Sequence, residues 1–518
     1  MTAPLASSVA ARPLSPTSSL NAADAVGQPA AKRQRTSKHN DEDYAAETKA
    51  TTTKTPRKRT SQQLPYDTGM HLAPMVRIGT LPVRLIALEY GAELVWGPEI
   101  VDKAIIGAER KVDPRTGVVS FLKNGRSIFD CHPLEKSRLI FQLGSASPEL
   151  AVQAMKVIQH DVAGVGLNCG CPKSFSLSGG MGAALLKEPE KLCSILTALV
   201  QATDLPVDAK IRLLPLPPAK GNTSSSASPS AAAAASLATP VATPPPPPPT
   251  DPAQPQPQPQ RTPSAILEPT VPPTLTVDAA VTSDTETAAA GAGPSSSAKG
   301  EEEEEEPTLT LVARIFDTGI ANLTVHCRTQ EMRSREPALH ERMRGITEMG
   351  RQRGVPVVCN GDAVGGGKDA GWGNFDQVCE KTGVSSVMIA RAAEANPSCF
   401  SRSGLADPIS EVIPKLLRVA MVTQNHYNNT KYILNAMSLV DSPTPPTRET
   451  NREYKQKMNK AKSYADMAEV FGIDRDEVRA LSEEEPDGMA RLEALLPRWK
   501  QRRDEILLLS RLENDDTF

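Results

Sequence analysis

The sequence predicts an α/β chain built on a (β/α)8 TIM barrel, followed by a small all-α domain and carrying a disordered N-terminal tail and a long disordered insertion. Three observations predict this. Between Met70 and Phe400, eight short apolar runs alternate with helix-like patterns. The stretch that interrupts them is too biased in composition to build a core. Unusual polar residues fall again and again at the C-terminal ends of the strand-like runs, the ends that converge on one face of a barrel.

Taken in order, residues 1–64 are rich in Ala, Ser, Thr and Pro and lack any apolar period that could offset chain entropy. Two basic clusters lie in this tail, Lys32 to Arg35 and Lys54 to Arg59, spaced as in a bipartite nuclear-import signal. The same clusters also read as a solvated tail with weak, sequence-independent attraction to RNA. The strand-like runs are Leu72–Met75, Ala92–Gly97, Leu139–Gly144, Gly164–Cys169, Val207–Arg212, Asn322–Cys327, Pro356–Gly361 and Ser385–Ala390. Residues 215–306, with poly-Ala, poly-Pro, Pro-Gln repeats and a closing run of glutamates, separate the fifth run from the helix-like Thr308–Gly319. This segment is an insertion in one βα loop, since the cost of loop closure grows only logarithmically with length. The barrel therefore comprises 65–214 and 307–405, about 240 residues in all, a usual size for the fold. From 406 to 518 the pattern is helical, with a Ser/Pro/Thr break at Asp441 to Thr447.

Composition excludes more than it selects. A net charge of -3 gives no global field for nucleic acid, so any RNA-binding surface must be local. The eight cysteines lack the spaced pairs of a zinc ribbon, and the Cys169–Cys171 pair is too tight for a metal finger. Reduced thiols, no metal and an intracellular location are the expectation. No apolar run approaches the roughly 18–20 residues that span a bilayer, and no signal-peptide stretch opens the chain, so no membrane is expected. The glycine-rich stretch after Asn360 lacks the Lys-Ser/Thr pair of a P-loop and reads as a surface loop.

The polar residues at strand ends are Gln142, Asn168, Lys210, His326 and Asn360. The densest signal is Leu167 to Leu186, where Cys171 precedes Pro172 in a tight turn before a glycine-rich segment. There its thiol can face a ligand beside Asn168, Lys210 and His326. A thiol with an ordinary value of about 8.5 stays protonated near neutrality and so suits an acid. A doubly wound sheet is the structural rival, but it would not gather eight consecutive strands around one centre.

Seven motifs in order resemble the tRNA-dihydrouridine synthase family: L-A-P-M-V, F-Q-L-G, N-C-G-C-P-K with G-G-M-G-A-A-L-L, K-I-R, V-H-C-R-T, N-G-D and A-R-A-A-E-A-N-P. The tail segment N-H-Y-N-N-T-K-Y is similar to the eukaryotic branch that acts on the D-loop uridine at tRNA position 20. The resemblance implies bound FMN and NADPH or NADH as reductant. It places Pro74, Met75 and Val76 under the flavin ring, Gln142, Lys210 and His326 on the flavin, and the phosphate at Asn360, Gly361, Asp362, Ala390 and Arg391. Loops after the seventh and eighth strands of such barrels commonly hold phosphate. Cys171 matches the family's acid, which protonates C5 of uracil while hydride from flavin N5 reaches C6. Asn168, Lys173 and Arg212 are matched to substrate, a tRNA whose target base is drawn out of its stack while the helical domain grips the backbone. A monomer in the cytoplasm or nucleus is expected. Two alternatives stay open: an FMN barrel acting on a free pyrimidine or another small molecule, and a tRNA-binding barrel without chemistry.

Overall fold

Eight parallel strands form where the apolar runs place them: β1 (Gly69–Leu72), β2 (Val95–Trp96), β3 (Leu139–Gly144), β4 (Gly164–Cys169), β5 (Val207–Arg212), β6 (Asn322–His326), β7 (Val357–Asn360) and β8 (Ser386–Ile389). The computed structural model describes residues 64–217, 306–363, 371–439, 447–482 and 487–515. All of the expected tail but Leu64, nearly all of the expected insertion, the glycine-rich stretch at 364–370 and most of the break before Thr447 lie outside the described residues. Each strand pairs in parallel with its neighbours, β8 returns to β1, and the pairing of Val95 with Leu139 closes the ring between β2 and β3. Closure excludes the doubly wound alternative, whose sheet has two free edges.

The helices that follow the strands in turn are α1 (Leu81–Glu89), α2 (Asp102–Ile105), α3 (Pro148–Ile158), α4 (Pro189–Ala202), α5 (Pro307–Asp317), α6 (Met343–Arg353), α7 (Phe375–Thr382) and α8 (Arg391–Ala395). Four of these, α1 and α3 to α5, carry proline in the first turn, where its missing N–H costs no hydrogen bond. Glu306, the last glutamate of the acidic run, caps α5 by accepting from Leu309 N and pairs with Arg342. The cap of α5 is therefore the last residue of the expected insertion, because a carboxylate satisfies a free N–H at a helix start.

Alternation along β5 shows how the barrel is layered. Val207, Ala209 and Ile211 are fully buried in the core between sheet and helices, whereas Asp208, Lys210 and Arg212 occupy the opposite face. Tyr66, Trp96, Ile140, Val358 and Met388 form a separate buried cluster. Asp208 lies beside Tyr66 and Trp96, and desolvation raises its carboxyl to about 7 despite the opposing Trp96 and Lys210.

Two strands differ from the sequence expectation. The first lies at Gly69–Leu72 rather than Leu72–Met75, because Pro74 has no N–H to give to a ladder. Of Ala92–Gly97, only Val95 and Trp96 form a strand. Between α2 and β3 the chain adds a three-stranded antiparallel sheet, Glu109–Val112, Val119–Lys123 and Arg126–Cys131, that the eight-strand reading omitted. Below it Arg84 of α1 is buried and fully engaged: it donates to both Glu135 carboxylate oxygens, Gly79 O and Asp130 O.

The C-terminal region is helical: α9 (Ile413–Val422), α10 (Tyr427–Ala436), α11 (Arg448–Lys460), α12 (Tyr464–Val470), α13 (Arg475–Ser482), α14 (Gly488–Leu495) and α15 (Pro497–Asp515). It is tied to α1. Glu89 accepts from Lys415 Nζ at 3.0 Å and from Trp499 N at 3.0 Å, while Trp499 Nε1 donates to Leu134 O. Lys415, Arg418 and Lys431 are therefore not free solvated cations. Arg418 pairs with Glu477, and Lys431 donates to Asn459 O and Ala461 O.

Candidate active site

The C-terminal strand ends open into a cleft with two lobes that share Arg212 and His326. One lobe, of about 370 Å³, is lined by Pro74, Met75, Val76, Gln142, Asn168, Cys171, Lys173, Lys210 and residues from outside the barrel strands. The other, of about 260 Å³, is lined by Asn360, Gly361, Asp362, Ala390, Arg391 and Arg328 among others. Every residue singled out from the sequence lines one of these two lobes.

Local structure explains these positions. Gln142, Asn168, Lys210 and His326 stand on one face of β3, β4, β5 and β6 by the two-residue period of a strand. Beyond β4 the chain turns at Gly170, whose N–H donates to Asn168 Oδ1 at 3.0 Å and whose carbonyl accepts from Arg212 Nε at 2.8 Å. Cys171 is held next in that turn, its carbonyl accepting from Ala183 N. The two thiols of the C-x-C differ completely. Cys169 is buried, with Sγ near Leu167 O at 3.7 Å, while Cys171 is half-buried and faces the cleft.

Electrostatics divide the cleft. Burial pushes the Cys171 thiol up, and the neighbouring Glu99 charge adds to that, so sulfur keeps its proton at neutral pH. Burial, then Arg212 beside it, brings the Lys210 ammonium down to about 8. Burial and the flanking cations Lys210, Arg212, Arg328 and Arg391 hold the His326 imidazole neutral. Gln142 is 1% exposed, and both its amide atoms are buried without a hydrogen-bond partner among the described residues. An orphaned amide of that kind costs free energy unless a bound group completes it.

At the second lobe, Asp362 bridges Arg328 and Arg391 and accepts from Ala338 N at 3.1 Å. Burial opposes its charge, but the two guanidiniums prevail and hold the carboxyl below its ordinary range. The Asn360 side chain donates to Met388 O, which ties β7 to β8, and its backbone carbonyl accepts from Cys327 N at 2.8 Å.

Residues 71–215 and 298–484 match the family model of dihydrouridine synthases (Dus). The chain belongs to that family. The tRNA-dihydrouridine(20) synthase (NAD(P)+) of Schizosaccharomyces pombe is 37% identical over 79% of this chain, and the match spans 66% of that relative, just under two thirds of its length. The enzyme of the same name from Saccharomyces cerevisiae is 32% identical over 71% of this chain and 77% of its own length. The tRNA-dihydrouridine(20a/20b) synthase of S. pombe is 32% identical over 24% of this chain and 34% of its own length.

This Dus chain also brings to the cleft residues that the motifs did not single out. Glu99, three positions beyond Trp96, faces Asn168, Cys171 and Lys173. Phe175 and Tyr432, 48% and 42% exposed, rim the same lobe, the first from the short helix Ser174–Ser178 that follows the Cys171 turn and the second from α10. Arg328 lies two residues past His326 in V-H-C-R-T and could have been found by the alternation that found His326. Tyr432 closes the segment N-H-Y-N-N-T-K-Y, but nothing in that segment placed it at the cleft, since only packing of α10 on the barrel brings it there. Deeper, Cys327, His340 and Cys359 gather with their ligand atoms within 4.8 Å of one another. The two sulfurs lie 3.5 Å apart, and His340 Nε2 is hydrogen-bonded to Gly361 O. All eight cysteines are free thiols, and no described helix is long and apolar enough to cross a membrane.

Proposed function

We propose that this chain is a flavin-dependent tRNA-dihydrouridine synthase, which reduces the C5=C6 bond of a D-loop uridine at position 20 with FMN as resident cofactor and NADPH or NADH as reductant. One observation carries the reading: an unsatisfied buried amide at Gln142 and a protonated thiol at Cys171 face one cleft with Lys210 and His326. The donor set fits a flavin. Gln142 supplies a donor and an acceptor for a ring edge, Lys210 a positive charge, and the lobe with Arg328 and Arg391 two guanidiniums suited to a phosphate. Pro74, Met75 and Val76 would line the ring, with the backbone at Gly361, Asp362 and Ala390 beside the phosphate.

When bound, the flavin supplies the hydride that C6 receives. This chain's residues do the rest. Cys171 Sγ holds the proton that C5 takes, and its raised value keeps it an acid at neutral pH. Lys210 offsets negative charge on the cofactor, while neutral His326 orients through hydrogen bonds and adds no positive charge. Asn168 and Lys173 would hold the base, and Arg212 props the Cys171 turn by donating to Gly170 O while its other arm donates to Thr329 O at 2.9 Å. Phe175 and Tyr432 offer exposed rings for a base drawn out of its stack.

The helical region is the proposed grip on the tRNA backbone, supported by a cavity on α11 lined by Arg448, Asn451, Arg452 and Lys455 together with the single acid Glu449. Residence in cytoplasm or nucleus follows from that substrate, and a fusion lacking residues 1–64 tests whether its basic clusters direct import. The absorbance of the purified chain tests the cofactor. A flavin spectrum that survives desalting supports the reading, and a colourless chain that takes up no added FMN refutes it.

A further inference from the structure

Glu99 sits in an unusual setting for a carboxyl. It follows β2 by three residues and directly precedes the short strand Ile100–Val101, which pairs with Leu143 and Gly144 at the end of β3. That register drives it into the cleft against the Cys171 turn. Its Oε1 is buried and has no hydrogen-bond partner among the described residues. At Gly144 an added Cβ would lie 2.7 Å from that oxygen, so a larger residue there would push the carboxyl aside. The buried glutamates with structural roles behave otherwise: Glu135 closes on Arg84, and Glu89 on Lys415 and Trp499 N. Glu99 is instead left facing the Asn168 amide, the Cys171 thiol and the Lys173 ammonium.

We propose that Glu99 is a positioning residue for the reaction, a proton store that returns to Cys171 the proton it gives up in each turnover. The inference rests on the reading of Cys171 as the acid. Once C5 of uracil has taken the proton, Cys171 is a thiolate. A lone pair on Sγ then takes the proton of the neutral Glu99 carboxyl, and the O–H bonding pair stays on the Glu99 oxygen. Glu99 regains a proton from water, and nothing is oxidised or reduced. The transfer runs downhill, because a thiolate is the stronger base of the two. Burial raises the Glu99 carboxyl and so favours its loaded form, with Lys173 acting against it. At alkaline pH, where Glu99 has already lost its proton, its charge disfavours a second negative charge on Cys171, while Lys210 and Arg212 from β5 pull the other way. One carboxyl thus reloads the thiol when neutral and opposes its ionisation when charged.

The test has two arms. In the first, alkylation of Cys171 in the purified chain is followed against pH by mass spectrometry of its peptide. Glu99→Gln removes the neighbouring charge and is expected to move the Cys171 profile to lower pH, and a profile that superimposes on that of the unaltered chain overturns the proposal. Should Glu99→Gln not fold, Glu99→Asp, which withdraws the carboxyl by one methylene, is expected to alter the profile measurably, and an unaltered profile again overturns it. In the second arm, resupply follows delivery of the proton to the base. Glu99→Gln should therefore lower kcat on unmodified tRNA by about tenfold or more while kcat/KM changes far less. Equal losses in both would mark Glu99 as part of the substrate-binding structure and overturn the proposal. A shifted alkylation profile in a chain that reduces no tRNA would overturn the assigned reaction, and with it the reload step, but not the pairing of the two groups.

Discussion

Cys171 is the proposed acid and Gln142 a proposed cofactor contact, and their substitutions should separate the two. Cys171→Ala should keep the flavin spectrum and lose about 10²-fold or more in dihydrouridine formation, the usual cost of removing a positioned acid. Gln142→Leu fills the same buried space without a polar edge, so it should weaken flavin retention on desalting while the chain stays folded. Asp208 makes a prediction about pH. Its folded value of about 7 lies above the ordinary 3.8, so its contribution to stability is complete below the unfolded value and is lost as pH rises through 7. The melting temperature should fall between those limits, and Asp208→Asn should flatten that dependence. A wild-type profile that rises with pH across this window, or one left unaltered by the substitution, would contradict it. At this scale the sequence was informative where a polar residue falls near the C-terminal end of an apolar strand: Gln142, Asn168, Lys210, His326 and Asn360 all reach the cleft. Glu99 escaped because the strand it follows is only two residues long, so it lies beyond the run that was searched.

Among the elements, β3, β4 and β5 have the bounds their apolar runs predicted, because strands covered on both faces need unbroken apolar stretches. The antiparallel sheet at 109–131 was missed although its turn is a strong local signal: Asn124 and Gly125 both have positive φ, as a two-residue hairpin requires. Its first strand is charged and exposed, and the other two mix buried apolar with polar residues, so none shows the unbroken apolar run by which the barrel strands were recognised. Arg84 and Glu135 fix this part of the chain to α1. Either Arg84→Ala or Glu135→Ala leaves one buried charge unpaired and should cost about 3–5 kcal/mol in denaturant unfolding. A loss under about 1 kcal/mol would mean that the survivor is rehydrated, as at a surface pair.

For the molecule as a whole, the helical region closes the cleft from one side and braces the barrel from another. Tyr432 of α10 reaches the cleft, and Asn429 Nδ2 donates to Arg77 O at 2.7 Å just beyond β1. Trp499, 1% exposed, packs at α1, so Trp499→Ala should destabilise the whole chain by about 3–5 kcal/mol, with barrel and helices unfolding in one transition. Such long-range placement is invisible to periodicity, which fixes the faces of helices but not what they meet. If α11 contacts tRNA phosphates, replacing Arg448 and Arg452 by alanine should weaken binding and reduce its salt dependence, without altering the flavin spectrum. The most direct measurement is anaerobic: reduce the bound flavin, mix with unmodified tRNA or with free uracil, and follow the return of flavin absorbance. Rapid, saturable reoxidation by tRNA alone, abolished in Cys171→Ala, is the predicted result; reoxidation by free uracil as fast as by tRNA, or none by tRNA, would contradict it.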